Sequence, residues 1–258
     1  MLADRDAGEV TEDAVLGGRM RLRQPVRGHR VGHDAILLAA STMGRPGQHA
    51  VDLGAGVGAA GLALATRVPK LSVSLVEIEP ALAALAEENV RLNGLSGKAI
   101  VLDVGAPPRV FADAGLPPGC AACVLMNPPF NDPVRHRTSP DRQRRRAHAA
   151  EPDTLAVWLK TADRLLAPHG ALTMIWRADR LDDVLAALAR HFGEVALLPV
   201  HPRPGAPAIR IILRARKGGR APLAIYPGLV LNDAAGRPTE AAEALLRAAA
   251  PLPLALES

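Results

Sequence analysis

The sequence predicts an α/β fold: a mostly parallel sheet with helices on both faces. Three observations predict it. From residue 49 onward, short apolar, β-branched runs alternate with amphipathic helical stretches. The first of these strands runs into a glycine-rich turn, VDLGAGVGAAGL at 51–62. Successive strands finish on acids, Asp52, Glu77 and Asp103, at the edge where open α/β sheets bind ligands.

The elements follow in order. The chain opens on an acidic, polar stretch, MLADRDAGEVTED, which does not read as a signal peptide. No apolar run is long enough to span a bilayer, so the expected location is the cytoplasm and no membrane partner is expected. GRMRLRQPVRGHRVGHDAILLAAS reads as a basic strand or hairpin followed by a helix, with Asp34 as its N-cap. Strands are expected over 49–54, 72–79, 99–104, 122–127, 171–176, 194–201 and 208–217. Helices are expected over 59–68, 81–94, 153–170 and 180–192, two of them stopped by Gly94 and Gly170. The tail carries LAIYPGLVLND and then a helix, TEAAEALLRAAA, capped by Thr239. Composition marks no break, so residues 1–258 form a single domain. Its appendages are a basic N-terminal extension (1–33), an arginine-rich loop (131–151) and a C-terminal extension (222–258).

Cys120 and Cys123 are the only two cysteines and form a single C-x-x-C. One such pair is half a zinc site or a redox pair. With no second pair, they read as small core residues, and no metal is expected.

The glycine turn fits G-x-G-x-x-G from Gly56 to Gly61, which taken alone is a weak dinucleotide signal. Asp52 discriminates. A pyrophosphate at that turn would meet a carboxylate at close range. S-adenosylmethionine carries no phosphate but has a positive sulfonium and a positive ammonium, which a carboxylate suits. Gly54, Ala55, Gly56 and Gly58 would let the backbone approach the cofactor without obstruction. Glu77, with Ile78 beside it, would accept the two ribose hydroxyls. Asp103, with Val104, ends the third strand near the place of the adenine amino group.

The fourth strand leaves the core through MNPPF, residues 126–130. Proline has no N–H and ends a strand ladder. With the glycine turn upstream, the sequence resembles the class I S-adenosylmethionine-dependent methyltransferases. Within them it is similar to those carrying [DNS]-P-P-[YFW], which methylate planar, conjugated nitrogens. The resemblance implies a Rossmann-like, seven-stranded, mostly parallel sheet with one antiparallel strand, and S-adenosylhomocysteine as product. An exocyclic adenine amine is a poor nucleophile because its lone pair is delocalised. Acceptors at the Asn127 side-chain oxygen and the Pro128 carbonyl, made rigid by Pro129, would favour a pyramidal amine and hold it in line with the methyl group. Phe130 would stack the base, for roughly 1–3 kcal/mol.

GHRVGHDAILLAAS (28–41), the NPPF segment with SPDRQRRRAHAAE, and HPRPGAPAIRIILRARKGGRAPL (201–223) resemble the bacterial tRNA1(Val) adenine-N6 methyltransferases acting at nucleotide 37. Phe130 stands where many members have Tyr. His33 and Asp34 match a region that in relatives can touch the methionine end of the cofactor; helix capping is the plainer reading. Three alternatives stand beside this reading. Glutamine-N5 methyltransferases share the stretch from the glycine turn through Asn-Pro-Pro, but carry a helical domain ahead of it, where this chain has about fifty residues. Guanine-N2 enzymes of the ribosome usually carry a duplicated domain. A catalytically idle RNA-binding protein is the non-enzyme alternative, against which the intact set of Asp52, Glu77 and Asn127 argues.

The expected partner is tRNA. The formal net charge is +5. Arg135, Arg137, Arg142, Arg144, Arg145 and Arg146 face only Asp141 within their segment, directly after NPPF. They read as a loop that grips phosphates around a splayed-out base. Arg21, Arg23, Arg27, Arg30, Arg210, Arg214, Arg216, Lys217 and Arg220 would extend the footprint. With aromatics at 2% of the chain, this would be electrostatic gripping and not a stacking platform. Log K for tRNA should fall with log salt by roughly 0.7–0.9 per phosphate neutralised. Changing Arg144, Arg145 and Arg146 to Glu should flatten that slope while cofactor affinity stays put. Filter binding across a salt series measures both, and unchanged tRNA binding in the triple variant would make the segment a solvated surface.

Overall fold

The described chain, residues 9–27, 31–129 and 152–256 of a computed structural model, begins with two strands of opposite charge. β1 (Val10–Val15) and β2 (Met20–Pro25) form an antiparallel hairpin. The expected basic strand is thus β2, and its partner is the end of the acidic stretch. Alternation explains the pairing: Met20, Leu22 and Gln24 turn inward, while Arg21 and Arg23 turn out toward Glu12. Then follow α1 (His33–Ser41), β3 (His49–Leu53), α2 (Ala59–Arg67), β4 (Ser72–Glu77), α3 (Pro80–Leu92), β5 (Gly97–Val101), α4 (Pro108–Asp113) and β6 (Ala121–Met126). After residues 130–151 come α5 (Pro152–Leu165), β7 (Leu166–Arg177), α6 (Leu181–Leu188), β8 (Phe192–His201), β9 (Arg210–Lys217), β10 (Ala224–Ile225), β11 (Leu229–Val230) and α7 (Glu240–Ala248).

The sheet order is β10-β8-β9-β7-β6-β3-β4-β5, with β11 also paired to β8. From β7 through β6, β3 and β4 to β5 the pairs are parallel, and β9 runs antiparallel to both β7 and β8. Seven long strands with one reversed is the fold the sequence predicts. The two short strands come from the tail. Successive residues of a strand face opposite layers. On β3, Ala50 packs with Leu62, Leu64 and Leu75 in the layer of α1, α2 and α3. Val51 and Leu53 pack with Phe111, Leu159 and Met174 in the layer of α4, α5 and α6. Burial on both faces explains why these strands read as near-continuous apolar runs.

The chain goes from β3 outward through β4 to β5, then returns to lay β6 on the other side of β3. In open α/β sheets such a reversal, here at the carboxyl ends of β3 and β6, marks the edge where ligands bind. All three predicted acids and Asn127 stand at this edge.

Several expectations are corrected. The helix expected over 153–170 stops at Leu165, and Leu166 already pairs with Ala121 on β6. Pro168 offers no N–H to a helix, and His169 takes a left-handed φ of 63°. The helix expected over 180–192 ends at Leu188, and Phe192 starts a strand. Asp34 does not cap α1: Gly32 is the cap, and Asp34 Oδ2 instead accepts from Arg210 Nε at 3.0 Å. The short α4 escaped the sequence reading, because only its fully buried Phe111 carries an apolar signal.

Thr239 does cap α7, accepting from Ala242 N–H at 3.2 Å while its own hydroxyl donates to Val230 O at 2.7 Å. One side chain therefore starts the last helix and pins it to β11. Thr239→Val, which keeps the shape and removes both bonds, should cost about 1–2 kcal/mol of unfolding free energy in urea. A variant as stable as the parent would show the tail to be independent of this cap.

Candidate active site

Register brings the site together. Leu53 lies opposite both Val76 and Met126, so Gly54, Glu77 and Asn127 leave their strands at one level. The turn after β3 is closed from below. Gly54 N–H and Ala55 N–H both donate to Val76 O at 2.9 Å, and Gly58 N–H donates to Ala55 O at 2.8 Å. Gly56 N–H donates to Glu77 Oε2 at 2.8 Å. Gly54, Gly56 and Gly58 have φ of 69°, 57° and 88°, a region that side chains disfavour. A side chain at 54 would also run into the indole of Trp158, and one at 58 into Leu75. At Gly56 a Cβ would meet nothing within 4 Å. The turn is thus packed at its two ends and open over its middle, which fits a ligand approaching the backbone there.

Glu77 is buried, and its second oxygen accepts from Glu79 N–H at 2.9 Å. Each carboxylate oxygen has another acceptor site available. Ile78 beside it is 61% exposed. Asp103 is exposed and accepts from Gly105 N–H at 2.8 Å, while Val104 is buried with its carbonyl accepting from Thr161 Oγ1 at 2.9 Å. Asp52 is different. It is only 2% exposed, and its Oδ2 accepts from Gly61 N–H on α2 at 2.8 Å. Its charge sits beneath the turn, away from solvent. Burial pushes its carboxyl from 3.8 up to about 7, the Gly61 bond opposing and the neighbouring Glu77 adding to the rise.

Asn127 follows the last residue of β6. Its side-chain oxygen is buried and finds no hydrogen-bond partner among the described residues. Buried acceptors are rarely left so. Pro128 is buried behind it. Phe130 and Arg135, Arg137, Arg142, Arg144, Arg145 and Arg146 lie outside the described residues.

Trp158 and Thr161 on α5 are site residues the sequence reading missed. The available signal was a tryptophan, one of two in the chain, one helical turn into the element after NPPF. The proposed extension of the basic footprint needs correction. Arg214 is 4% exposed and donates to Leu254 O at 3.0 Å, so it serves the tail. Arg210 pairs with Asp34, Arg216 with Glu194, and Lys217 with Asp163. Arg23 bridges Glu12 and Glu88. Cys123 is buried with its thiol pushed up to about 12, and no metal-binding group of His, Cys, Asp or Glu occurs among the described residues. A cavity of about 360 Å³ among Met43, Gln48, Cys123, His169 and Arg216 lies at the opposite, amino-terminal edge of the strands. Among the described residues no helix is long and apolar enough to cross a membrane.

Residues 33–201 match the family model of the methyltransferase small domain. The tRNA1(Val) (adenine(37)-N6)-methyltransferase of Porphyromonas gingivalis is 34% identical over 159 residues, which cover 60% of this chain and 61% of that protein. The chain thus matches about three fifths of that relative's length. Ribosomal RNA small subunit methyltransferase C of Pseudomonas aeruginosa is 32% identical over 110 residues, 41% of this chain and 29% of that protein. A crystal structure described as a predicted O-methyltransferase from Agrobacterium tumefaciens superposes with a TM-score of 0.71 at 29% identity, covering 85% of this chain and 98% of that one. The 16S rRNA N2 G1207 methyltransferase of T. thermophilus, solved with AdoMet and guanosine, shares the fold at a TM-score of 0.56 and 19% identity, over 81% of this chain and 50% of that one.

Asp52 makes a pH prediction. A carboxyl raised in the folded state favours folding while it is protonated. Its contribution is complete below 3.8 and is lost as pH rises through about 7. The loss should be on the order of 4 kcal/mol. Asp52→Asn keeps an acceptor for Gly61 and should not show it. Urea melts of both proteins between about pH 4 and pH 8 measure the difference. A gap that stays constant across that range would mean the carboxyl titrates normally.

Proposed function

The chain belongs to the methyltransferase small-domain family, and we propose that it methylates the exocyclic N6 of an adenine in tRNA, at position 37 of a valine tRNA. Its cofactor is S-adenosylmethionine, which when bound supplies an electrophilic methyl carbon on a sulfonium. The open turn over Gly56, the carboxylate of Glu77 and the exposed Ile78 fit that group. On this reading Glu77 accepts the ribose hydroxyls, Ile78 lies against the adenine, Asp103 meets its amino group, and Asp52 sets a negative potential under the cationic end.

The observation that carries the acceptor is the orphaned oxygen of Asn127. A buried acceptor with no partner among the described residues suits a donor that arrives with the substrate, and an amine brings two N–H groups. Asn127 Oδ1 and the Pro128 carbonyl take one each, draw the nitrogen toward pyramidal geometry and free its lone pair. The methylated nitrogen is acidic enough to lose its proton without a strong base. Asn-Pro-Pro therefore positions and polarises, and the reaction needs no further group from it.

The tRNA-modifying relative and the arginine-rich segment after NPPF support RNA as the substrate. The likeness to a ribosomal RNA enzyme supports a second reading, the exocyclic N2 of guanine, since that amine presents the same two hydrogens. Methyl transfer from labelled cofactor to total tRNA, ribosomal RNA and protein, followed by nucleoside and amino-acid analysis, separates them. N6-methyladenosine in tRNA is expected. N2-methylguanosine would favour the second reading, and methylglutamine in protein would refute both.

Asn127→Ala should lower kcat by about 10²–10³-fold, as for a lost oxyanion-type partner. S-adenosylhomocysteine affinity should change far less. Phe130→Tyr should be nearly silent, and Phe130→Ala should raise KM for RNA. An Asn127→Ala enzyme at the parental rate would reduce MNPPF to a turn.

A further inference from the structure

The side chain of Asn89 on α3 is fully buried and uses every hydrogen-bonding atom it has. Its Oδ1 accepts from Arg23 N–H at 2.7 Å, and its Nδ2 donates to Arg23 O at 2.9 Å. The second hydrogen of Nδ2 goes to Val57 O at 3.0 Å. Val57 lies between Gly56 and Gly58, inside the turn that the cofactor would lie against. One helical turn on, Asn93 repeats the two bonds to the hairpin: Oδ1 accepts from Arg21 N–H and Nδ2 donates to Arg21 O, both at 2.8 Å. The two amides, four residues apart on one helix face, thus stand in for alternate peptide groups of a neighbouring strand. They complete the outer edge of β2, which has β1 on its other side. Only Asn89 reaches on to the glycine turn.

We infer that Asn89 is a positioning residue that makes the β1–β2 hairpin part of the cofactor site. Glu77 holds Gly56 N–H, and Asn89 holds the Val57 carbonyl. Between them they fix the peptide planes of a stretch whose glycines would otherwise leave it free. The connection continues beyond the hairpin. Gln24, also buried, accepts from Val31 N–H at 2.9 Å and donates to Asp13 Oδ2 at 2.7 Å. So β2 is tied to the glycine turn at Arg23 and to the approach of α1 at Gln24. Coupling between two sites is reciprocal. If β2 steadies the turn, a cofactor on the turn steadies β2, although none of the hairpin needs to touch it. The inference rests on the reading of the turn as the S-adenosylmethionine site.

Amide hydrogen exchange tests it, because Arg21 N–H and Arg23 N–H report directly on the two asparagines. Saturating S-adenosylhomocysteine should slow exchange at both amides in the parent. Asn89→Ala should bind S-adenosylhomocysteine about tenfold more weakly, and at saturation should show no added protection at Arg23. Asn93→Ala should loosen Arg21 while leaving affinity and the response at Arg23 intact. Arg23→Pro removes one bond to Asn89 from the hairpin side, with the core untouched, and should also weaken binding several-fold. This second variant keeps the test open if Asn89→Ala does not fold. Parental affinity in both Asn89→Ala and Arg23→Pro, or equal protection of Arg23 in parent and Asn89→Ala, would overturn the inference. A parent that binds no S-adenosylhomocysteine would overturn the cofactor assignment and this inference with it.

Discussion

The turn at residues 54–58 must hold an unusual backbone shape while leaving its middle open at Gly56, and the rest of the edge follows from that constraint. Its N–H groups at Gly54, Ala55, Gly56 and Gly58 are all bonded from within or below, to Val76 O, Glu77 and Ala55 O. Each of those bonds depends on register. Val76 O is in reach because Leu53 pairs with Val76, and Glu77 because it comes one residue later. A one-residue slip between β3 and β4 would invert every side chain of β4 and leave the turn unsupported. The β3–β4 register is therefore what keeps these bonds to the turn in place.

The electrostatics of the edge follow from the same packing. Glu77 and Asp52 approach the turn from different sides, and each accepts a backbone N–H of the chain segment it supports. Their proximity helps to push Asp52 up, yet burial is the larger cause. A cation on the turn would relieve both effects by favouring the charged carboxylate. A phosphate would push the Asp52 carboxyl up still further and gain no free N–H from Gly54, Ala55 or Gly56, since those are already used. The glycine spacing resembles that of a dinucleotide site, but the donors such a site needs are turned inward.

Sequence alone carried the sheet and its edge because both rest on strong local signals. Apolar runs such as CVLM between turn formers, a glycine cluster and strand-ending acids are each short-range. What it missed depended on tertiary partners. LAPHG continues the helical pattern of α5, and only pairing with Ala121 makes it strand. VTEDAV has the charge of a tail and becomes a strand because MRLRQP lies opposite. Asp34 has the sequence position of a cap and is drawn instead to Arg210, far away in the chain. In ENVRLNG the two asparagines read as the polar end of a helix near its glycine stop. Nothing local shows that a hairpin lies across them, so the residue argued to couple hairpin and turn was invisible. Asn127 was legible as a residue type, and its unsatisfied oxygen was not.

The distribution of charge narrows how an RNA partner would be held. On the described body many of the cations are paired. Arg21 and Arg23 share Glu12, Arg210 and Arg216 pair with Asp34 and Glu194, Arg237 and Arg247 with acids one turn away, and Arg214 is enclosed by the tail. A paired, part-buried guanidinium presents little net field to a phosphate, and breaking its pair to bind one gains little. Residues 135–146 have a different composition, six arginines to one acid. Counterion release rewards uncompensated cations. A grip built mainly there would begin within a few residues of Asn127 in the sequence, so charges holding the backbone and an acceptor holding the base would share one segment. Under the proposed function, affinity and positioning of the base would then be coupled through the short stretch that joins them, Pro128 to Pro133.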